Sequence, residues 1–130
     1  MTTYTTKTIS EMTDVSIPTL RYYEQIGLLD PVERLANGHR RYSVADLRRI
    51  DFLKRLRATN MSISEMQYYV DLYRTGDDTL SERREILEAH RKTIKAQIDT
   101  LWETIALLDT KIERYLEQER TQELEQEPTT

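Results

Sequence analysis

Thr19, Arg21 and Tyr22 stand within four positions of one another, and Arg34, Arg40 and Arg41 lie on either side of an Asn37-Gly38 pair. All six carry donors suited to anions. A guanidinium reaches the N7/O6 edge of guanine with two hydrogen bonds, while Tyr, Thr and further Arg side chains bond phosphate oxygens. Arginines on a ribbon also add salt-dependent affinity that fixes register without reading sequence. No comparable set exists for breaking bonds. With no Cys and two His in 130 residues, disulfides, thiolate nucleophiles and Cys/His zinc sites are excluded. No nucleophile, base and orienter are spaced to cooperate. The expectation is no catalytic residue, no metal and no cofactor, with a donor surface that meets double-stranded DNA.

Those donors need elements to hold them. Four Ser/Thr-x-x-Glu/Asp signatures, Thr8/Glu11, Ser43/Asp46, Ser62/Glu65 and Thr79/Glu82, mark helix starts, because the hydroxyl caps an orphan N–H and the acid suits the positive helix end. A fifth start lies at Ser16, with Pro18 in the first turn and Gly27 as the left-handed stop. The first two helices are expected from about Ile9 to Thr13 and Pro18 to Ile26, joined by Asp14-Val15-Ser16, which is helix-turn-helix spacing. Asn37-Gly38 between Val32-Glu33-Arg34 and Arg40-Arg41-Tyr42 predicts a hairpin, read as a wing.

A third helix is expected from Val44 to about Ala58, with Leu47, Ile50, Leu53 and Leu56 on one stripe. A fourth is expected from Ile63 to Arg74, with Met66, Val70 and Tyr73. After the breaker Thr75-Gly76-Asp77-Asp78, one helix is expected from Leu80 to about Glu119, roughly 60 Å long. Its apolar residues fall into two heptad columns. Leu87, Ile94, Leu101, Leu108 and Tyr115 form one; Ile98, Ile105 and Ile112 form the other. A lone helix cannot bury such a seam, so a second copy is expected to supply the partner surface. The acidic tail from Thr121 to Thr130 has little to bury and is expected to be disordered.

The fold class that follows is mainly all-α. A winged helix-turn-helix DNA-binding domain over 7–74 precedes a dimerisation helix over 79–119 and a tail over 120–130. Charge is divided along the chain: residues 1–60 carry 10 basic and 7 acidic side chains, residues 61–130 carry 9 and 16. Only the front is expected to meet a polyanion. No apolar run approaches the ~20 residues of a membrane span, and Met1 to Lys7 lacks a signal-peptide shape. A cytoplasmic location is expected.

Ile9-Ser10-Glu11, then Val15-Ser16-Ile17-Pro18-Thr19-Leu20-Arg21-Tyr22-Tyr23-Glu24-Gln25-Ile26-Gly27-Leu28-Leu29, then Asn37-Gly38-His39-Arg40-Arg41-Tyr42 and Asp46-Leu47 resemble the DNA-binding domain of the MerR family. The similarity covers about residues 7 to 74, and the breaker and long helix match the family plan. The resemblance implies a homodimer with antiparallel long helices that binds a pseudo-palindromic promoter operator. Such a dimer distorts an overlong spacer, under effector control, so that RNA polymerase engages both promoter elements. Carried over as DNA contacts are Thr19, Arg21, Tyr22 and Tyr23 on the helix, and His39, Arg40 and Tyr42 on the wing. His39 stands where the family usually has Tyr, so its phosphate contact depends on the charge of the ring.

The rear half, through Thr75-Gly76-Asp77 and Leu108-Asp109-Thr110-Lys111-Ile112, resembles the small-effector-domain branch that responds to aldehydes and other electrophiles. The Cys that this branch often carries is replaced by Arg55, which excludes direct thiol sensing. Metal sensing through Cys ligands fails in the same way.

Several residues keep a plainer reading. Tyr23, three residues from both Leu20 and Ile26, also fits a core. Tyr68, Tyr69, Tyr73 and Trp102 fit either an aromatic effector pocket or packing. His90 reads as a solvated flank of the seam. Arg48, Arg49, Lys54, Arg55 and Arg57 face DNA or simply balance Asp46 and Asp51. An adaptor that keeps the helix-turn-helix as a scaffold is the alternative function.

Overall fold

The computed structural model describes residues 2–126. The elements in chain order are β1 (Thr3–Tyr4), α1 (Thr6–Thr13), α2 (Ile17–Gln25), β2 (Glu33–Arg34), β3 (Arg40–Ser43), α3 (Val44–Ala58), α4 (Ile63–Thr75), a 3-10 turn at Asp77–Thr79, and α5 (Leu80–Gln126). They fall into two compact units, the first reaching Leu87 and the second beginning at Glu88.

Caps place most of the helix starts. Ser16 accepts from the Thr19 N–H, and Ser62 from the Glu65 N–H. Ser43 and Asp46 exchange both bonds of a capping box, as their spacing predicts. The first helix departs from expectation. It begins a turn early, at Thr6, because Thr5 rather than Thr8 is the cap and accepts from the Thr8 N–H. Thr79 has a different task from the cap assigned to it. Buried in the 3-10 turn, its hydroxyl lies 2.7 Å from the Leu72 carbonyl oxygen and 2.8 Å from that of Gly76, and it accepts from Arg83 Nε at 3.1 Å. Gly27, at φ 84°, ends α2 and lets the Leu28 N–H return to the Tyr23 carbonyl at 2.8 Å. The chain then drives Leu28 and Leu29 into the core.

The wing pairs Glu33 with Arg41 and Arg34 with Arg40. The Gly38 N–H bonds the Leu35 carbonyl at 2.9 Å, and Gly38 sits at φ 84°. The connection therefore spans Ala36-Asn37-Gly38, with the glycine in the left-handed position, instead of a two-residue turn. A strand that the sequence did not announce, β1, pairs on the far side of β3 (Thr3 with Ser43, Tyr4 with Tyr42), giving the order β1-β3-β2.

One core organises the first unit: Ile9, Leu20, Leu28, Tyr42, Ile50, Leu53, Met61 and Met66 are closed to solvent. Leu47 and the start of α5, through Ile86 and Leu87, pack against it. Leu87, expected in the dimer seam, is partly buried against the core of the first unit.

In the second unit α5 continues through Gln126, so residues 120–126 are helical and not a disordered tail; 127–130 lie outside the described residues. His90 is 8% exposed, which overturns its reading as a solvated flank. From Ile98 onward the apolar side chains of α5 stand open to solvent. No helix among the described residues is long and apolar enough to cross a membrane.

Tyr42 is the largest of the wholly buried side chains. Its hydroxyl is sealed without a well-formed hydrogen bond. Burial raises its pKa above the ordinary phenol value, and the Thr6 hydroxyl beside it offsets only part of that rise. A phenol whose folded-state pKa is raised contributes fully below about pH 10, its unfolded value, and loses that contribution as pH climbs through the folded value. Tyr42→Phe should therefore leave stability at neutral pH within about 1 kcal/mol of the parent. It should also make the alkaline loss of stability shallower. Urea unfolding measured from neutral pH to above pH 10 checks both.

Candidate nucleic-acid interface

The face of α2 is set by what it buries. Leu20 and Tyr23 enter the core, 0% and 6% exposed, so at 100° per residue Arg21 and Tyr22 must stand outside. Both are exposed. Thr19 is half-buried, with its backbone N–H and hydroxyl both bonded to Ser16 Oγ at 3.2 and 2.8 Å. The structure thus brings Arg21 and Tyr22 onto the outer side of the helix, with Thr19 at its half-buried edge.

The wing is tied to that helix by an ion pair. Arg40 Nε donates to Glu24 Oε2 at 3.1 Å, with both side chains mostly buried. Arg40, expected on DNA, thus spends one donor edge on holding the wing. Between wing and helix lies a cleft of about 420 Å³ walled by Lys7, Arg21, His39, Arg40 and Arg41. Thr5 and Thr6 at the N-terminal turn of α1 open onto the same cleft, adding the positive end of a helix dipole to the side-chain cations. Asn37 Oδ1 accepts from the His39 N–H at 3.1 Å, stiffening the loop tip. Arg34 is exposed on β2 but does not line this cleft.

A second cleft of about 410 Å³ flanks α2 on its other side. Ser16, Thr19 and Tyr23 form one wall, Lys54, Arg57 and Asn60 the other, and Asp14 is the carboxylate among them. Arg57 Nη1 donates to the Met61 carbonyl at 3.3 Å. Asn60, in the left-handed region at φ 74°, turns the chain between α3 and α4 at this point. Lys7 is not among the residues that the sequence points to, whereas Lys54 and Arg57 belong to the cluster for which it leaves DNA contact and charge balance both open. Thr5 as the cap of α1 was the available signal for Lys7. Lys54 and Arg57 belonged to a five-residue basic cluster that the structure disperses: Arg55 pairs with Asp51 at 3.0 Å, while Arg48 and Arg49 line a different cavity.

Two expected contacts do not fit. Tyr42 is closed to solvent, so its hydroxyl is unavailable to a phosphate; side chains alternate across β3, and Tyr42 falls on the face that packs onto the core. Tyr23 is mainly a core residue whose rim alone borders the second cleft. Burial raises its pKa, and the nearby Arg57 guanidinium pulls less strongly the other way. Of the aromatic set expected around an effector, Tyr69 and Tyr73 line the cavity shared with Arg48 and Arg49. Tyr68 is exposed outside it, and Trp102 is exposed on the second unit.

Comparison with known proteins agrees with this geometry. Residues 4–72 match the MerR HTH family regulatory protein family, and residues 47–111 match a MerR DNA-binding family. An uncharacterised HTH-type transcriptional regulator of Haemophilus influenzae is 36% identical over 113 residues, covering 87% of this chain and 84% of that one. The HTH-type transcriptional regulator AdhR of Bacillus subtilis is 36% identical over 86 residues, covering 66% of this chain and 61% of that one. Among solved structures, HiNmlR, a MerR family regulator lacking the sensor domain and bound to promoter DNA, superposes with a TM-score of 0.83. It is 34% identical, with 92% and 94% of the two chains covered. These likenesses favour a regulator over the adaptor alternative. With its winged helix-turn-helix, the chain belongs to the MerR family and is a DNA-binding transcriptional regulator of that type.

Proposed function

We propose that the chain acts as a cytoplasmic homodimer. Two winged heads grip a pseudo-palindromic promoter operator, and distortion of the spacer controls access by RNA polymerase in response to a small-molecule effector. The observation that carries the DNA part of this reading is the recognition helix α2 flanked on both sides by cationic clefts. Arg21 and Tyr22 enter the major groove. Lys7, His39, Arg40 and Arg41 on one flank, with Thr19, Lys54 and Arg57 on the other, hold the adjacent phosphates. Arg34 adds charge from the outer strand.

Pairing of two copies is supported by the open seam of α5. Ile98, Leu101, Ile105, Leu108, Ile112 and Tyr115 are each between 44% and 63% exposed, at a spacing that a second helix fills. Ile94 extends the same columns and is already half-buried. Two heads held at fixed separation contact two half-sites, and deforming the DNA between them costs of order 1–10 kcal/mol, which altered protein contacts must offset.

Arg21→Ala should weaken operator binding by about 1–3 kcal/mol and relax the base preference at its position. Lys54→Ala should weaken all sequences alike and reduce the slope of log affinity against log salt by about 1. Gel-shift titrations over a salt series separate the two, and an unchanged slope for Lys54→Ala removes the second cleft from the interface. Leu101→Lys and Leu108→Lys should sediment as monomers, since each places a charge in the seam; persistent dimers would exclude pairing through this face.

A further inference from the structure

The first unit contains a third cavity, about 370 Å³, bounded by the end of the α2–β2 connection at Asp30, by α3 through Arg48, Arg49 and Phe52, and by α4 through Tyr69 and Tyr73. Its volume is in the range of small-molecule sites. Its walls are of two kinds. The Phe52 and Tyr69 rings stand 6.0 Å apart and tilted by 56°, and the Tyr73 ring carries the Arg49 guanidinium at 4.5 Å. Flat apolar surface therefore meets fixed positive charge.

The charges are unequally satisfied. Both carboxylates on the wall are spoken for: Asp46 Oδ2 accepts the Ser43 N–H at 2.8 Å, and Asp30 Oδ1 takes Arg74 Nη2 at 2.9 Å. The cations are not. Arg49 Nη1 is closed to solvent without a hydrogen bond, and its nearest carboxylate oxygen, Asp30 Oδ2, stands 3.7 Å away. Arg48 is exposed at the rim with no ion pair among the described residues. A guanidinium whose charge is compensated only at a distance gains from an anion placed beside it.

We infer that this cavity is a binding site for a small organic anion with a flat apolar body of one or two rings, such as an aromatic carboxylate. The ring lies among Phe52, Tyr69 and Tyr73, and the carboxylate meets Arg49, with Arg48 closing the mouth. Asp30, only five residues beyond the end of α2 and three before β2, is the group from which such an anion draws Arg49. Occupancy therefore acts on the segment that joins recognition helix to wing. The site stands on the geometry of one head; its use as an effector input rests on the transcriptional reading, and the test needs no DNA.

The full chain is titrated by calorimetry with 2-naphthoate and with its neutral isostere 2-naphthamide, while ring resonances are followed by NMR. The site predicts saturable binding of one naphthoate per chain, at least about tenfold tighter than the amide, which is the factor that 1.4 kcal/mol of charge-assisted bonding gives. The shifts should be confined to Phe52, Tyr69 and Tyr73. Arg49→Gln should abolish the preference for the anion, Arg48→Gln should reduce it, and the remote Arg55→Gln should keep it; thermal melts by circular dichroism check that each variant is folded. Equal affinity for acid and amide, shifts at Trp102 in place of the three rings, or no binding because another copy's helix fills the cavity would each overturn the proposal.

Discussion

Everything that α2 offers to a ligand follows from the burial of Leu20 and Tyr23. Two side chains three residues apart, both committed to one core, leave a single rotational setting for the helix, and that setting puts Arg21 and Tyr22 in solvent. A slip of one position toward the C-terminus would bury Arg21 and Glu24 in place of two apolar side chains, at the cost of desolvating both charges. Ser16 and Gly27 then fix where the helix starts and stops. The exposed chemistry is a by-product of the core, which is why a short helix of modest propensity presents its donors so definitely.

Around this helix, charge serves attachment as much as recognition. Glu24 spends its carboxylate on Arg40 and so joins wing to helix. Asp30 holds Arg74 of α4 and faces Arg49 of α3, fastening the connection after α2 to the helices behind it. Each of these three pairs is partly exposed, so none adds much to global stability. Their value is positional: the Glu24–Arg40 pair lies where a small shift would change the width of the cleft between wing and α2, and the Asp30 pairs lie at the cavity bounded by α3 and α4.

Much of this was legible beforehand. Ser16, Ser43 and Ser62 act at short range, through one hydroxyl and one N–H, and local patterns read them well. The wing was legible for the same reason. What escaped depends on partners distant in sequence. A strand of two residues, Thr3–Tyr4, has no period to detect and exists only because β3 has a free edge. Tyr42 reads as a surface donor in the Arg-Arg-Tyr run; packing of one face of β3 onto helices distant in sequence is what turns it inward. Met61, almost fully buried, follows the left-handed Asn60 and is invisible to any helical stripe. The clustered arginines of α3 could not be divided among three surroundings until the neighbouring elements were in place. The last turns of α5 read as disordered from their acidic composition, yet a helix that meets no Gly or Pro propagates through them.

The long helix carries one more consequence. A rod that leaves Leu101, Trp102, Leu107 and Leu108 wet pays a continuing solvation penalty whenever it is alone, so mass action enters its biology directly. Under the proposed pairing, scarce chain is mostly solitary and abundant chain mostly mated. Occupancy of a two-headed target then rises more steeply than the supply of protein, and synthesis and turnover become regulatory inputs in their own right.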